Sequence, residues 1–203
     1  EDGGWFPLAV AALVFTLMST WHRGRAALAA FIREGTLPLD AFLQDLTRRN
    51  PHRVAGSAVF MTPNPEGTPP VLLHHFKHNK VLHEQVLLLS VVTKRVPEVA
   101  RSERLKVEPL GQGFFRLMAF YGFMEKPDVR DLLRLAREQG VTAREEDTTF
   151  FLGRETLLVT GRGTMARWRK RLFVVMARNA QPATAFFGLP PNRVVEMGTQ
   201  IEL

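Results

Sequence analysis

The sequence of 203 residues contains no cysteine, so disulfide bonds and thiolate metal sites are excluded, in agreement with a reducing compartment. It also lacks the patterns of nucleophile-elbow hydrolases, P-loop NTPases, H-E-x-x-H metalloproteases and dinucleotide-binding enzymes. The glycines at 111 and 113 precede an apolar strand pattern rather than a helix, which predicts a turn. We therefore predict that the chain is not an enzyme. A soluble α/β enzyme with a hydrophobic N-terminal helix stays open as the alternative, because the absence of motifs does not exclude catalysis.

Acidic residues are in the minority: 20 Asp and Glu stand against 27 Lys and Arg, which gives a formal net charge of +7. This balance favours an anionic partner, such as nucleic acid, an anionic lipid surface or a phosphorylated ligand, although solvated basic faces would give the same composition. No recognition motif accompanies the charge, and aromatic residues are not interleaved with it. We predict no nucleic-acid partner.

Charge is missing altogether from residues 5–21. This run has about the minimum length for a helix that crosses a bilayer, and Trp5 and Trp21 stand where the interfacial aromatic belts would lie. Basic residues follow the run, among them Arg23 and Arg25, whereas a signal peptide carries them in front. We predict a transmembrane helix with the residues after about 22 in the cytoplasm. A buried core helix is the alternative, because the run is short.

The chain begins at Glu1 rather than methionine, and we expect it to be a fragment of a longer protein. Downstream of the apolar run, strand-like and helix-like periods alternate, with an apolar strand at 86–92 and an amphipathic helix at 127–139. The predicted fold class is α/β: a mixed β-sheet covered by helices and preceded by one N-terminal transmembrane helix. The predicted domains are 1–35 (the membrane helix and its cytosolic extension), 36–50 (a connector helix near the membrane surface) and 51–203 (a cytosolic α/β domain).

Four histidines fall within ten residues, at 74, 75, 78 and 83. The spacing of His74 and His78 suits two metal ligands on one helix face, but no third ligand follows and the neighbouring lysines would repel a cation. We predict no metal site. A partly buried polar helix face, a pH-sensing site and an anion site stay open. For the anion site the stretch offers His75, Lys77, Asn79 and Lys80 as donors.

A second candidate anion site is the glycine turn at 161–164, which precedes a predicted helix. Backbone N–H groups at a helix N-terminus suit phosphate, and Arg162, Gly163 and Arg167 would contribute to such a site. A plain tight turn explains the same residues. The basic face of the following helix suits either anionic lipid or water.

Several motifs resemble the C-terminal part of KUP (HAK/KUP/KT) potassium uptake transporters. The segment G-W-F-P-L at 4–8 and the W-H-R-G-R at 21–25 are similar to the two ends of that family's last transmembrane helix. Residues 54–62 resemble its R-V-x-G-T-A-V-F-L-T strand, and 69–84 its P-P-A-L-L-H-N-L-K-H-N-K-V-L-H-E helix, with differences at Val71 and His75. Residues 190–203 resemble its terminal P-P-N-R-V-I-E-L-G-T-Q-V-E-I.

The resemblance implies the C-terminal part of an inner-membrane potassium importer, coupled to protons and working as a homodimer. Potassium would bind upstream membrane helices that precede this chain, and we expect no cofactor here. The implied partners are the rest of the transporter, a second copy and the lipid bilayer. The cytosolic domain would serve dimerisation and regulation without transporting by itself. Relatives with comparable domains bind regulatory nucleotides such as cyclic di-AMP, which makes a nucleotide- or anion-binding sensor the alternative function.

Overall fold

The structure is a computed structural model that describes residues 4–34, 36–158, 165–180 and 183–202. The described residues form two compact units. One, the helical unit, contains those within 1–35, 155–180 and 199–203. The other, the sheet unit, contains those within 36–154 and 181–198.

The elements alternate between helix and strand along much of the chain. The α-helices are α1 (Trp5–Glu34), α2 (Leu39–Arg49), α3 (Pro70–Asn79), α4 (Val129–Glu138), α5 (Arg167–Arg178) and α6 (Ala183–Phe186). The strands are β1 (His52–Met61), β2 (Val81–Lys94), β3 (Leu105–Gly111), β4 (Phe114–Gly122), β5 (Thr148–Leu158) and β6 (Val194–Glu202). The predicted α/β class is confirmed.

Helix α1 is one continuous helix of 30 residues. Its single proline, Pro7, lies in the first turn, where a proline is tolerated because no intrahelical N–H bond is lost there. Large apolar side chains along it are exposed, including Leu8 (72%), Phe15 (71%) and Met18 (68%). A core helix would bury these side chains, so the alternative of a buried core helix does not describe α1. By length and composition α1 can cross a membrane.

Within the helical unit, α5 packs against α1 around Trp21 and Gly24. Phe173 of α5 is fully buried, and its ring lies 5.6 Å from the ring of Trp21. The backbone of α1 passes directly beneath this ring at Gly24, where a Cβ atom would overlap it. The close approach of the two helices therefore depends on the glycine.

The six strands form one mixed sheet in the order β3-β4-β2-β1-β5-β6. The pairs β1–β2, β1–β5 and β2–β4 are parallel, and β3 joins β4 in an antiparallel hairpin. Strands β1 and β2 lie in the middle and read as nearly continuous apolar runs, as expected for strands that are covered on both faces.

Helices cover both faces of this sheet. Val59, Leu87 and Phe150 contribute to one core together with α4, whereas Ala58, Leu88 and Phe151 contribute to a second core together with α2 and α3. Neighbouring residues along a strand point to opposite faces, so the pleat itself divides the apolar runs between the two cores. Helix α2, predicted as a connector, adds four buried residues to the second core.

The hairpin between β3 and β4 turns through Gly111, Gln112 and Gly113, as predicted. All three have positive φ, at +85°, +51° and +77°. The guanidinium of Arg53 donates to the carbonyl oxygens of His83 (2.9 Å) and Gln112 (3.0 Å). The turn is thus tied to both central strands.

The segment 69–84, which resembles a helix motif of the family, is not helical throughout: α3 ends at Asn79, and β2 begins at Val81. Lys80 between them has a left-handed backbone (φ +58°), and its N–H donates to the carbonyl of Phe76 (3.0 Å). This residue closes the helix at its C-terminus in the way glycine or asparagine commonly does. The following residues continue without a loop into the central strand.

Candidate functional site

An open groove lies between α2 and α3 in the sheet unit, with a volume of about 540 Å³. Its apolar lining comes from both helices and the segments that flank α2, and its charged lining comes from the last turns of α2 and α3. The lining residues are Leu37, Phe42, Asp45, Arg49, Pro51, Leu73, Phe76, Lys77 and Lys80.

The base of the groove is held by aromatic packing. Phe42 is buried, and its ring meets that of Phe76 edge to face at 5.8 Å and that of Phe114 at 6.3 Å. Phe114 is the first residue of β4 and belongs to the second core, so the base of the groove is anchored in that core. Such contacts fix the rings in defined positions.

Of the charged side chains at the rim of the groove, some form an ion pair and others do not. Arg49 forms an ion pair with Asp45 one turn earlier in α2, at 2.8 Å. No ion pair among the described residues involves Lys77 or Lys80, and both are exposed. These two ammonium groups give the rim an excess of positive charge beside an apolar, aromatic surface. An anion with an apolar or aromatic part fits this chemistry.

Only two of the four residues proposed as anion donors between 75 and 80 line the groove. Lys77 and Lys80 line the groove, Asn79 is exposed but is not among the lining residues, and His75 is buried with 3% of its surface accessible. Helical geometry explains the separation, because His75 and Lys77 are 200° apart around α3.

His75 lies in a small aromatic and polar cluster of the second core. Its ring is 4.6 Å from that of Phe151, 5.6 Å from Phe60 and 6.2 Å from His83. The Nδ1 atoms of both histidines and Oε1 of Gln85 have no hydrogen-bond partner among the described residues. This arrangement resembles the partly buried polar face that was one of the sequence-based alternatives.

Burial lowers the pKa of His75 below its ordinary value of 6.5, and the nearby His83 lowers it further. Burial also lowers the pKa of His83. Both rings are therefore uncharged near neutral pH, and His75 does not attract an anion through a positive charge.

His74 and His78 approach each other on the exposed side of α3, with ring centroids 5.9 Å apart. The part of the chain that the structure describes contains no group of three or more histidine, aspartate or glutamate side chains that could hold a metal ion.

The second proposed anion site falls largely beyond the described residues, which do not include Arg162 and Gly163. Arg167 is described: it is the first residue of α5 and is exposed. The proposed use of these three residues stays a prediction.

Sequence reasoning missed the contribution of α2 to the groove, above all Phe42, Asp45 and Arg49. The signal was present in the apolar stripe at Phe42, Leu43 and Leu46, which shows that one face of α2 is buried. The stripe does not reveal which helix lies beside α2, so the groove could not be assembled from it.

Comparisons with known proteins agree with the motifs. The family model described as the K+ potassium transporter C-terminal domain matches residues 55–203. The chain is 62% identical to a protein named probable potassium transport system protein Kup from Anaeromyxobacter dehalogenans strain 2CP-C, covering all of this chain and 31% of that protein. The protein of the same name from Myxococcus xanthus strain DK1622 is 57% identical, over 100% of this chain and 31% of that protein. The probable potassium transport system protein Kup 1 from Geobacter sulfurreducens is 49% identical, over 99% of this chain and 32% of that protein.

The chain spans about a third of the length of these relatives. No solved structure matches it. The family match covers most of the chain, and it includes α3, the sheet and the terminal strand that carried the resemblance. The chain therefore belongs to the K+ potassium transporter C-terminal domain family.

Proposed function

We propose that this chain is the C-terminal part of a potassium uptake transporter of the inner cell membrane, with α1 as its last membrane span. The observation that carries the proposal is the similarity to proteins named as potassium transport proteins. It extends over the whole of this chain and over about a third of each relative. The exposed apolar surface of α1 supports the same conclusion, because water is an unfavourable environment for such a surface.

The charges at the two ends of α1 support a cytosolic position for everything that follows it. Glu1 and Asp2 precede the apolar run, whereas Arg23 and Arg25 follow it. Basic residues flank membrane helices mainly on the cytoplasmic side. In this proposal potassium, coupled to protons, is carried by membrane helices upstream of this chain. The sheet unit acts in dimerisation and control and has no enzymatic role.

The proposal predicts a specific loss of potassium uptake when the cytosolic part is removed. The full-length parent protein would be expressed in cells that lack other uptake systems, with and without residues 36–203. A cut at 50 would be less informative, because it would leave the buried side chains of α2 without their sheet. We expect uptake to be lost or strongly altered while the truncated protein stays in the membrane.

Two controls make this experiment decisive. Membrane abundance, measured by immunoblotting of isolated membranes, separates loss of control from loss of protein. The point variants Gly113→Ala and Gly111→Ala provide a second test, because the first should damage the sheet far more than the second. Unchanged uptake in the truncated protein and in Gly113→Ala would contradict a role of the domain in assembly or regulation.

A second candidate function is binding of an anionic regulatory ligand, such as a nucleotide, in the groove between α2 and α3. The unpaired charge of Lys77 and Lys80 beside the aromatic surface of Phe76 favours it. Lysines would pair with phosphate oxygens, and the apolar lining would contact a base.

Calorimetric titration of the detergent-solubilised chain with cyclic di-AMP tests this function. We expect binding, and we expect Lys77→Gln and Lys80→Gln each to weaken it by roughly tenfold, since a hydrogen bond to a charged group contributes about 1.5–3 kcal/mol. Lys106→Gln, an exposed lysine of β3 outside the groove, is the matched control. Absence of heat at high ligand concentration, or equal weakening by all three variants, would contradict the assignment.

A further inference from the structure

The exposed side of α5 combines two kinds of side chain. Arg167, Arg171 and Arg178 are exposed on it, and beside them Trp168 is 54% and Val175 56% exposed. At 100° per residue these five positions fall within an arc of about 100°. Phe173, which lies on the opposite side of the helix, is fully buried. Large apolar groups are thus presented beside arginines on one continuous face, which we call the outer face of α5.

The charge of α5 has one sign. Its twelve residues include four arginines and one lysine and no acidic residue. Among the described residues, no ion pair involves Arg167, Arg171 or Arg178. An exposed tryptophan and valine would be unfavourable beside water, whereas they suit the boundary between lipid headgroups and acyl chains.

The position of α5 along α1 supports this interpretation. The middle of α5 contacts α1 at Trp21 and Gly24, through Phe173. Trp21 is the last residue of the uncharged run, and Gly24 lies about 4.5 Å farther along the helix axis. If α1 spans the bilayer, the centre of α5 is therefore at the depth of the headgroups, and neither end is more than about 9 Å from that centre.

We propose that the outer face of α5 binds the anionic lipid surface on the side of the membrane where the apolar run of α1 ends. Trp168 and Val175 enter the interface, and the three arginines pair with lipid phosphates. This inference rests on the proposed membrane position of α1. The partner is the lipid surface rather than another protein for two reasons. The outer face lies at the depth where α1 leaves the bilayer, and its positive charge complements anionic headgroups.

The absence of cysteine in these 203 residues allows a direct test by single spin labels. The chain would be reconstituted in nanodiscs of phosphatidylcholine alone or mixed with phosphatidylglycerol. A nitroxide at Val175→Cys reports the outer face, and nitroxides at Leu13→Cys and Met124→Cys serve as references for the membrane span and the exposed sheet unit. Collisions with oxygen and with a water-soluble nickel chelate give the depth of each label.

We expect the label at 175 to show fewer collisions with nickel and more with oxygen than the label at 124, and the shift to grow with phosphatidylglycerol. A water-like value at 175 would overturn the proposal. Protection of 175 from both reagents would also overturn it, because it would show that protein covers the face. A water-like value at 13 would instead show that α1 does not span, which refutes the proposed function separately.

Charge removal distinguishes anionic lipid from simple apolar insertion. The triple substitution of Arg167, Arg171 and Arg178 by glutamine should abolish the dependence of the 175 label on phosphatidylglycerol. The matched triple substitution of Arg95, Lys106 and Arg137, three exposed cations of the sheet unit, should leave that dependence intact. An unchanged dependence in the first variant would overturn the role of the arginines.

Discussion

Gly113→Ala is expected to destabilise the sheet unit by about 4 kcal/mol or more, at the upper end of single-residue effects. Gly113 has a φ of +77°, and a Cβ atom there would overlap the carbonyl oxygen of Glu84. The backbone cannot yield easily, because the carbonyl of Gly113 accepts a 2.9 Å hydrogen bond from the N–H of Val86. Hydrogen exchange of the β2 and β4 amides would measure the loss within the sheet itself.

Gly111 provides the matched control in the same turn. Its φ of +85° imposes a similar backbone cost, but a Cβ atom there would meet nothing within 4 Å. We therefore expect Gly111→Ala to cost only about 1–2 kcal/mol, the usual penalty of a left-handed non-glycine residue. Equal losses for the two variants would show that the close approach to Glu84 has no energetic consequence.

Phe173→Ala is expected to weaken the packing of α5 on α1 by about 3–5 kcal/mol, since the ring is fully buried. Gly24→Ala should also weaken it, because the new methyl group would overlap that ring. In the Phe173→Ala background the overlap is gone, and Gly24→Ala should instead stabilise by up to about 1 kcal/mol through helix propensity. Hydrogen exchange of the α1 and α5 amides in all four variants would measure this change of sign.

The control for the propensity contribution is Ala26→Gly, at an exposed position two residues along α1. It should cost about 1 kcal/mol whether or not Phe173 is present. If Gly24→Ala had the same effect in both backgrounds, the glycine would not be required by the ring, and the close approach of the two helices would need another explanation.

Much of the sheet unit could be predicted because its local patterns agree with its tertiary structure. The apolar residues of 86–92 predicted a central strand, and they lie in β2 with both faces covered. The stripe of Val129, Leu132 and Leu133 predicted α4, and all three are buried. Asp128 also caps this helix, since its carboxylate accepts from the N–H of Arg130 at 2.8 Å.

The groove could not be predicted in the same way, because it depends on which helices are neighbours. Lys77 and Lys80 were candidates from charge alone, yet their setting is provided by α2, which is at least 28 residues earlier in the chain. His75 was proposed on the same local sequence pattern as Lys77, but its side chain is buried against the sheet. A sequence gives the angle between two residues on a helix, but only packing decides which side meets the sheet.

The unbroken course of α1 has a mechanical consequence. Thirteen residues, from His22 to Glu34, extend the helix beyond the uncharged run by about 20 Å without a proline or an interruption. If α1 crosses the bilayer, each 10° of change in its tilt would swing the far end of this extension sideways by about 3 Å. The extension would thus turn a change of tilt into a sideways displacement of its own far end, with direction as well as size.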